Sequence, residues 1–234
     1  MRHREFARQG GFLAVGFVAL LLVFTVWPGI DLWVTAQFYR PGQGFWLTGA
    51  PWLEDFRHAV WDLSIVMLVA ALIGLVMALV KKPLLRIGAG PWGFVVLLYV
   101  LAPGVLVNGL LKSYWGRARP ADVRDFGGVG IFTPPWPPAD QCASNCSFVS
   151  GEVSATMALA VAVLLIIRLK RHDWPGWLRK PVIVLALVLP LAVSAQRIAT
   201  GRHFLSDALF AMLFTLAVAW VLAALINRNP PRPD

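Results

Sequence analysis

Charge is what this chain has least of: only 14% of its 234 residues are Asp, Glu, Lys or Arg, against 58% apolar ones. Such a balance excludes an ordinary soluble domain and a disordered one. Acidic residues are scarcer still, 12 against 21 Lys and Arg, for a net charge of +9. The basic residues form no stripe interleaved with stacking aromatics, so nucleic acid is not an expected partner. There is no internal repeat of the kind that builds solenoids, and no small-residue cleavage site follows the first apolar run, Gly11 to about Gly29. With only two cysteines, Cys142 and Cys146, and no histidine nearby in sequence, a four-ligand zinc site lacks its ligands.

What is present is a set of apolar runs long enough to cross a bilayer. They lie at about Gly11–Gly29, His58–Val80, Trp92–Leu111, Val149–Ile167, Pro181–Ala195 and Phe204–Ile226. The expectation is an all-α integral membrane protein: one domain over residues 1–234, six transmembrane helices in one bundle. Pro83, Pro91, Pro120, Pro175 and Pro181 mark expected boundaries. Between the first two runs, Ile30–Arg57 mixes Trp33, Phe38, Tyr39, Phe45, Trp46 and Trp52 with polar residues, as a segment lying along the interface does. The stretch Ala121–Asn145 is rich in Gly and Pro and is expected to have little regular structure.

With six spans both termini share a side. Thirteen of the 21 Lys and Arg fall on that side, including Lys81, Lys82, Arg168, Lys170 and Arg171, and eight on the other. Positive residues are retained inside, so both termini are expected in the cytoplasm. Cys142 and Cys146 then face an oxidising compartment where they can close a small loop; free thiols are the alternative.

The scarce charges gather at span ends on the outer side. Lys112 and Arg119-Pro120 end the third run; Ser150-Gly151-Glu152 opens the fourth; Arg197, His203 and Asp207 bracket the start of the sixth. Singly, each has a structural reading: a snorkelling cation, a helix cap, an interfacial histidine. Together they suit phosphate chemistry. Lys112, Arg119 and Arg197 can neutralise equatorial phosphoryl oxygens, and the N-terminus opened by Ser150 and Gly151 can seat an anion. His203 and Asp207 are four apart, which places them on one helical face. There the carboxylate is expected to hydrogen-bond one ring nitrogen and leave the other free to attack phosphorus.

This pattern resembles the type-2 phosphatidic acid phosphatase superfamily, whose signature is Lys, six residues, Arg-Pro; Pro-Ser-Gly-His; and Ser-Arg, five residues, His, three residues, Asp. Lys112 with Arg119-Pro120, and Arg197 with His203 and Asp207, match the first and third parts in residue and spacing. The resemblance implies His203 as nucleophile, Asp207 as its partner, Lys112, Arg119 and Arg197 as phosphate ligands, and no metal or other cofactor. Three positions depart: Val149 stands for Pro, Gln196 for Ser, and Glu152 for the second His, the family's general acid. Glu152 can take that role if its pKa rises into the working range. The string Asn145–Glu152 is also similar to the second motif of bacterial lipid A 4'-phosphatases. The implied activity is hydrolysis of a lipid phosphate at the outer face of a bacterial inner membrane. Lipid A is the first candidate substrate, ahead of undecaprenyl diphosphate and phosphatidylglycerol phosphate. A phosphotransferase and a non-catalytic phospholipid binder are the competing readings; a transporter would carry charges nearer mid-bilayer.

Overall fold

The computed structural model describes residues 2–228, with side chains from 5 to 226, so the terminal arginines that enter the orientation argument lie partly outside the described residues. Six helices are long and apolar enough to cross a membrane: Glu5–Val26, Pro51–Leu79, Ala89–Tyr114, Gly151–Leu169, Gly176–Ala199 and Leu205–Ile226. They belong to α1 (Arg2–Val26), α3 (Pro51–Leu79), α4 (Ala89–Tyr99) with its continuation, α6 (Gly151–Leu169), α7 (Gly176–Ala199) and α8 (Leu205–Arg228).

The number of spans agrees with the apolar runs, but their bounds shift. The fifth is the clearest correction. Pro181 does not start it; α7 begins at Gly176 and carries both Pro181 and Pro190 inside. Pro181 falls in the second turn, near enough to the helix start for little of the hydrogen-bond ladder to be lost. The second span likewise begins seven residues early, at Pro51 rather than His58, because Pro is well suited to a first helical turn. In the third span, α4 passes into a π-helical stretch, Val100–Leu111, before a last α-turn, α5 (Lys112–Tyr114). Pro103 lies inside this stretch, and Asn108 Nδ2 donates to the Pro103 carbonyl at 2.7 Å.

Helix α6 is the hub. It packs against α3, α7, α8 and the π-helical stretch, and half of its most apolar window is buried, against 6% for α1. Its sequence explains why. Gly151, Ser154, Ala155, Thr156, Ala158, Ala160 and Ala162 are buried small residues, which let neighbouring helices come close where lipid offers no hydrophobic drive to association. Ser154 and Thr215 of α8 share a hydrogen bond of 2.8 Å between their hydroxyls. The peripheral α1 lies along α8, with Phe6 stacked on Trp220 and Phe17 edge-on to Phe210.

The aromatic segment after α1 folds into α2 (Gly29–Ala36) and a two-stranded hairpin, β1 (Tyr39–Arg40) with β2 (Gly44–Phe45). The Gly- and Pro-rich stretch is irregular apart from two short 3-10 turns, Pro120–Asp122 and Arg124–Phe126. Both are held by a small apolar core of their own, Phe45, Ala118, Val123, Phe126 and Phe204, joined by Tyr39. A second cluster, including Val107, Phe148, Val149, Val153 and Phe210, lies directly beneath the motif residues.

Candidate active site

Three chain segments meet above that cluster. Lys112 follows the π-helical stretch, the irregular segment Cys146–Ser150 leads into α6, and the turn Thr200–Phe204 joins α7 to α8. Two glycines permit close packing around them. A Cβ on Gly116, whose φ is +70°, would lie 1.7 Å from the Ala139 carbonyl oxygen, and one on Gly151 would lie 2.9 Å from Asn108 Oδ1.

His203 is buried, and its Nδ1 lies 2.8 Å from the Ser147 carbonyl oxygen. A carbonyl only accepts, so Nδ1 carries the proton and Nε2 has the free lone pair. Burial, foremost, lowers the His203 pKa to about 4, with the nearby Asp207 opposing. The imidazole is therefore neutral at pH 7, the state a nucleophile needs.

Asp207 does not make the expected hydrogen bond to the ring. Its Oδ2 stands 3.8 Å from His203 Nδ1, beyond hydrogen-bonding distance. The carboxylate is taken up elsewhere: Ser147 Oγ and the Phe204 N–H donate to Oδ2, and Arg117 Nη1 donates to Oδ1 at 2.6 Å. Asp207 thus orients His203 through Ser147, whose hydroxyl it holds and whose carbonyl holds the ring.

Arg117 is the residue that sequence reasoning left without a role. It is 1% exposed, yet it bridges two carboxylates, Asp207 and Asp31 of α2, the latter at 2.8 Å. Nε donates to the Thr133 carbonyl and Nη1 also to Ser206 Oγ, while the Phe204 ring lies 4.4 Å from Cζ. Asp31 in turn accepts from the Ser206 N–H and hydroxyl. Burial works against charge on both partners: it raises the Asp31 pKa, whereas for Arg117 the two carboxylates outweigh it and raise that pKa too. The available signal was Asp31 itself, an acidic residue just beyond a span that called for a partner.

The cations assigned to phosphate sit differently. Lys112 Nζ donates to Asn145 Oδ1 at 3.2 Å and Arg119 Nη2 to the Asn145 carbonyl at 2.8 Å, and neither forms an ion pair among the described residues. Burial, then Arg202, lowers the Arg119 pKa, a direction that favours an incoming anion. Arg197 Nη1 lies 3.1 Å from Glu152 Oε2, and its buried Nε has no hydrogen-bond partner. Glu152 Oε1 also accepts from Arg57 of α3 at 3.4 Å, an arginine the motifs did not single out. Ser150 is fully buried, and its hydroxyl caps α6 by accepting from the Val153 N–H. That leaves the N–H groups of Gly151 and Glu152 without intrahelical acceptors. Cys142 and Cys146 are joined as a disulfide, their Cα atoms 5.6 Å apart.

A neutral, oriented imidazole beside three cations is an arrangement for nucleophilic attack on a phosphoryl group. The PAP2 superfamily model matches residues 93–231, a stretch that contains every motif residue. The chain belongs to the PAP2 superfamily. It is 28% identical over 221 residues to the lipid A 4'-phosphatase of Francisella tularensis subsp. novicida, covering 93% of this chain and 95% of that one. To the lipid A 4'-phosphatase of Rhizobium etli it is 29% identical, covering 92% and 87% of the two chains. In architecture it is similar to the PAP2-type phosphatidylglycerolphosphate phosphatase of Bacillus subtilis. The TM-score is 0.60 at 17% identity, over 94% of this chain and 98% of the other. The PAP2 protein described here is thus a multi-pass membrane enzyme, a phosphatase of the phosphoric monoester hydrolase class.

Proposed function

We propose that this phosphatase removes a phosphate from lipid A at the outer face of a bacterial inner membrane, through a phosphohistidine on His203. The observation that carries the mechanism is the hydrogen bond from His203 Nδ1 to the Ser147 carbonyl, which leaves Nε2 as the free nucleophile. The substrate reading rests on the full-length similarity to the two lipid A 4'-phosphatases. The excess of Lys and Arg on the opposite side of the spans supports the outer face.

In the first step the Nε2 lone pair forms a bond to phosphorus, and the bond from phosphorus to the lipid oxygen breaks. Lys112, Arg119 and Arg197 hold the equatorial oxygens, and the leaving oxygen takes a proton that Glu152, displaced from Arg197 by the phosphate, has drawn from solvent. In the second step water attacks the phosphohistidine, Glu152 recovers a proton from it, and inorganic phosphate leaves with His203 neutral again. An incoming phosphate competes with Glu152 for Arg197, so substrate binding itself releases the carboxyl from the ion pair seen at 3.1 Å. Arg57 stays beside it on the other oxygen.

Purified protein in detergent is expected to release phosphate from lipid A faster than from phosphatidylglycerol phosphate or undecaprenyl diphosphate. His203→Ala is expected to abolish release from all three while leaving the melting temperature near that of the wild type. Release from another lipid but not lipid A would overturn the substrate. Unimpaired release by the His203 variant would overturn the nucleophile.

A further inference from the structure

Two of the three phosphate cations depend on one exposed residue. Lys112 and Arg119 are seven apart in sequence and carry like charges, yet the side-chain oxygen of Asn145 accepts from the first and its backbone oxygen from the second. We infer that Asn145, held in the loop closed by Cys142 and Cys146, is a positioning residue that sets Lys112 and Arg119 for phosphate, and that this positioning depends on the disulfide. The inference rests on the proposal that these two side chains bind the phosphoryl oxygens.

The loop is built for that task. Asn145 has a φ of +51°, a conformation Asn tolerates better than most residues. On one side of it the Cys146 N–H donates to the Lys112 carbonyl at 3.1 Å and the Ser147 N–H to the Arg117 carbonyl at 2.8 Å. On the other side the Cys142–Cys146 bond is the covalent tie. Lys and Arg lose considerable rotamer freedom when they close on a ligand, and a site that has ordered them beforehand binds more tightly. An acceptor shared by two cations also lets them stand near each other before any anion arrives to neutralise them.

The two ties predict a division of labour. Ser147 anchors the nucleophile and is bonded to the Arg117 backbone independently of the disulfide, whereas Asn145 loses its tie on the Cys142 side when the bond opens. Loss of the disulfide should therefore weaken phosphate binding and spare the chemical step.

The test measures binding of inorganic phosphate to the solubilised full chain together with kcat and KM on lipid A. Asn145→Gly keeps the positive φ and the backbone carbonyl but removes the acceptor for Lys112. It is expected to weaken phosphate binding by roughly 3- to 10-fold, on the order of one hydrogen bond, with KM rising alike and kcat within about 3-fold of wild type. The pair Cys142→Ser/Cys146→Ser is expected to lose more, roughly 10- to 30-fold in binding, since both cations are released. Reductant should impose the same loss on the wild type and none on the pair. Should the pair fail to fold, Asn145→Gly and the reduced wild type carry the test. Unchanged phosphate binding in Asn145→Gly and under reductant overturns the inference, as does a fall in kcat with KM unchanged. A wild type that neither binds nor releases phosphate instead removes the lipid phosphatase proposal on which it stands.

Discussion

Arg117 and Arg119 are two residues apart in one motif and do opposite things. Arg117 is 1% exposed and lies between the carboxylates of Asp31 and Asp207; Arg119 is partly exposed and donates to a backbone carbonyl alone. The first is a charge paired inside the fold, the second a charge without a carboxylate partner among the described residues. The difference follows from partners. A guanidinium out of water is tolerable only when paired and hydrogen-bonded, and Arg117 has acceptors on Nε, Nη1 and Nη2. Arg119 lacks an anion among the described residues, which is the state the proposed phosphate contact requires. The same division separates the acids: Asp207 and Asp31 are locked in the buried cluster, whereas Glu152 stands among the open cations on Arg197 and Arg57.

Removing the buried member should have the largest effect. Arg117→Met leaves two carboxylates without a cation and is expected to cost about 3–5 kcal/mol of stability, the range for breaking a buried pair. Thermal unfolding of the detergent-solubilised protein measures it, and activity should fall with the folded fraction. A variant as stable as the wild type would erase the distinction between the two arginines.

Arg119→Lys sharpens the comparison from the other side. Charge is kept but the two-pronged grip on phosphate is lost, so kcat/KM should fall roughly 10- to 100-fold with one charge-assisted hydrogen bond. The melting temperature should stay put. A stability loss comparable to that of Arg117→Met would make Arg119 a structural residue as well.

The smallest effect expected is a displaced pH dependence. His203 has its pKa lowered to about 4, chiefly by burial, so the neutral nucleophile is present throughout the range above that value. The acid limb of kcat/KM should then fall as pH drops through about 4, rather than through the ordinary histidine value of about 6.5. The sign for stability is the same: between those values the unfolded chain binds the proton that the fold refuses, so stability falls with acidification across that window. An acid limb at the ordinary value would show that His203 is solvated and outside the buried cluster's influence.

Much of the outline was legible without coordinates. Six apolar runs became six spans, and the residues singled out by spacing, Lys112, Arg119, Glu152, Arg197, His203 and Asp207, lie on or within a few residues of the three segments that meet at one apolar cluster. Span bounds were less legible, because Pro51 sits in the first turn of its helix and Pro181 in the second turn of its own, so neither marks where an apolar run begins. What was misread was the partner of a near neighbour. The spacing predicts one helical face, but His203 lies in the turn before α8, so the ring turns to the Ser147 carbonyl and the carboxylate to Arg117 and Ser147.

The sequence by itself determined the class of protein and the reactive groups, since hydrophobic length and motif spacing are local properties of the chain. It could not determine which arginine would be buried, because that depends on Asp31, 86 residues away on α2, reaching the same point as Arg117. Nor could it assign Asn145 to Lys112 and Arg119, which approach it only after the disulfide loop folds back on the end of the third span. Contacts between distant segments are set by how the helices and loops pack, and at this site those contacts decide which charges are locked into buried ion pairs and which are not.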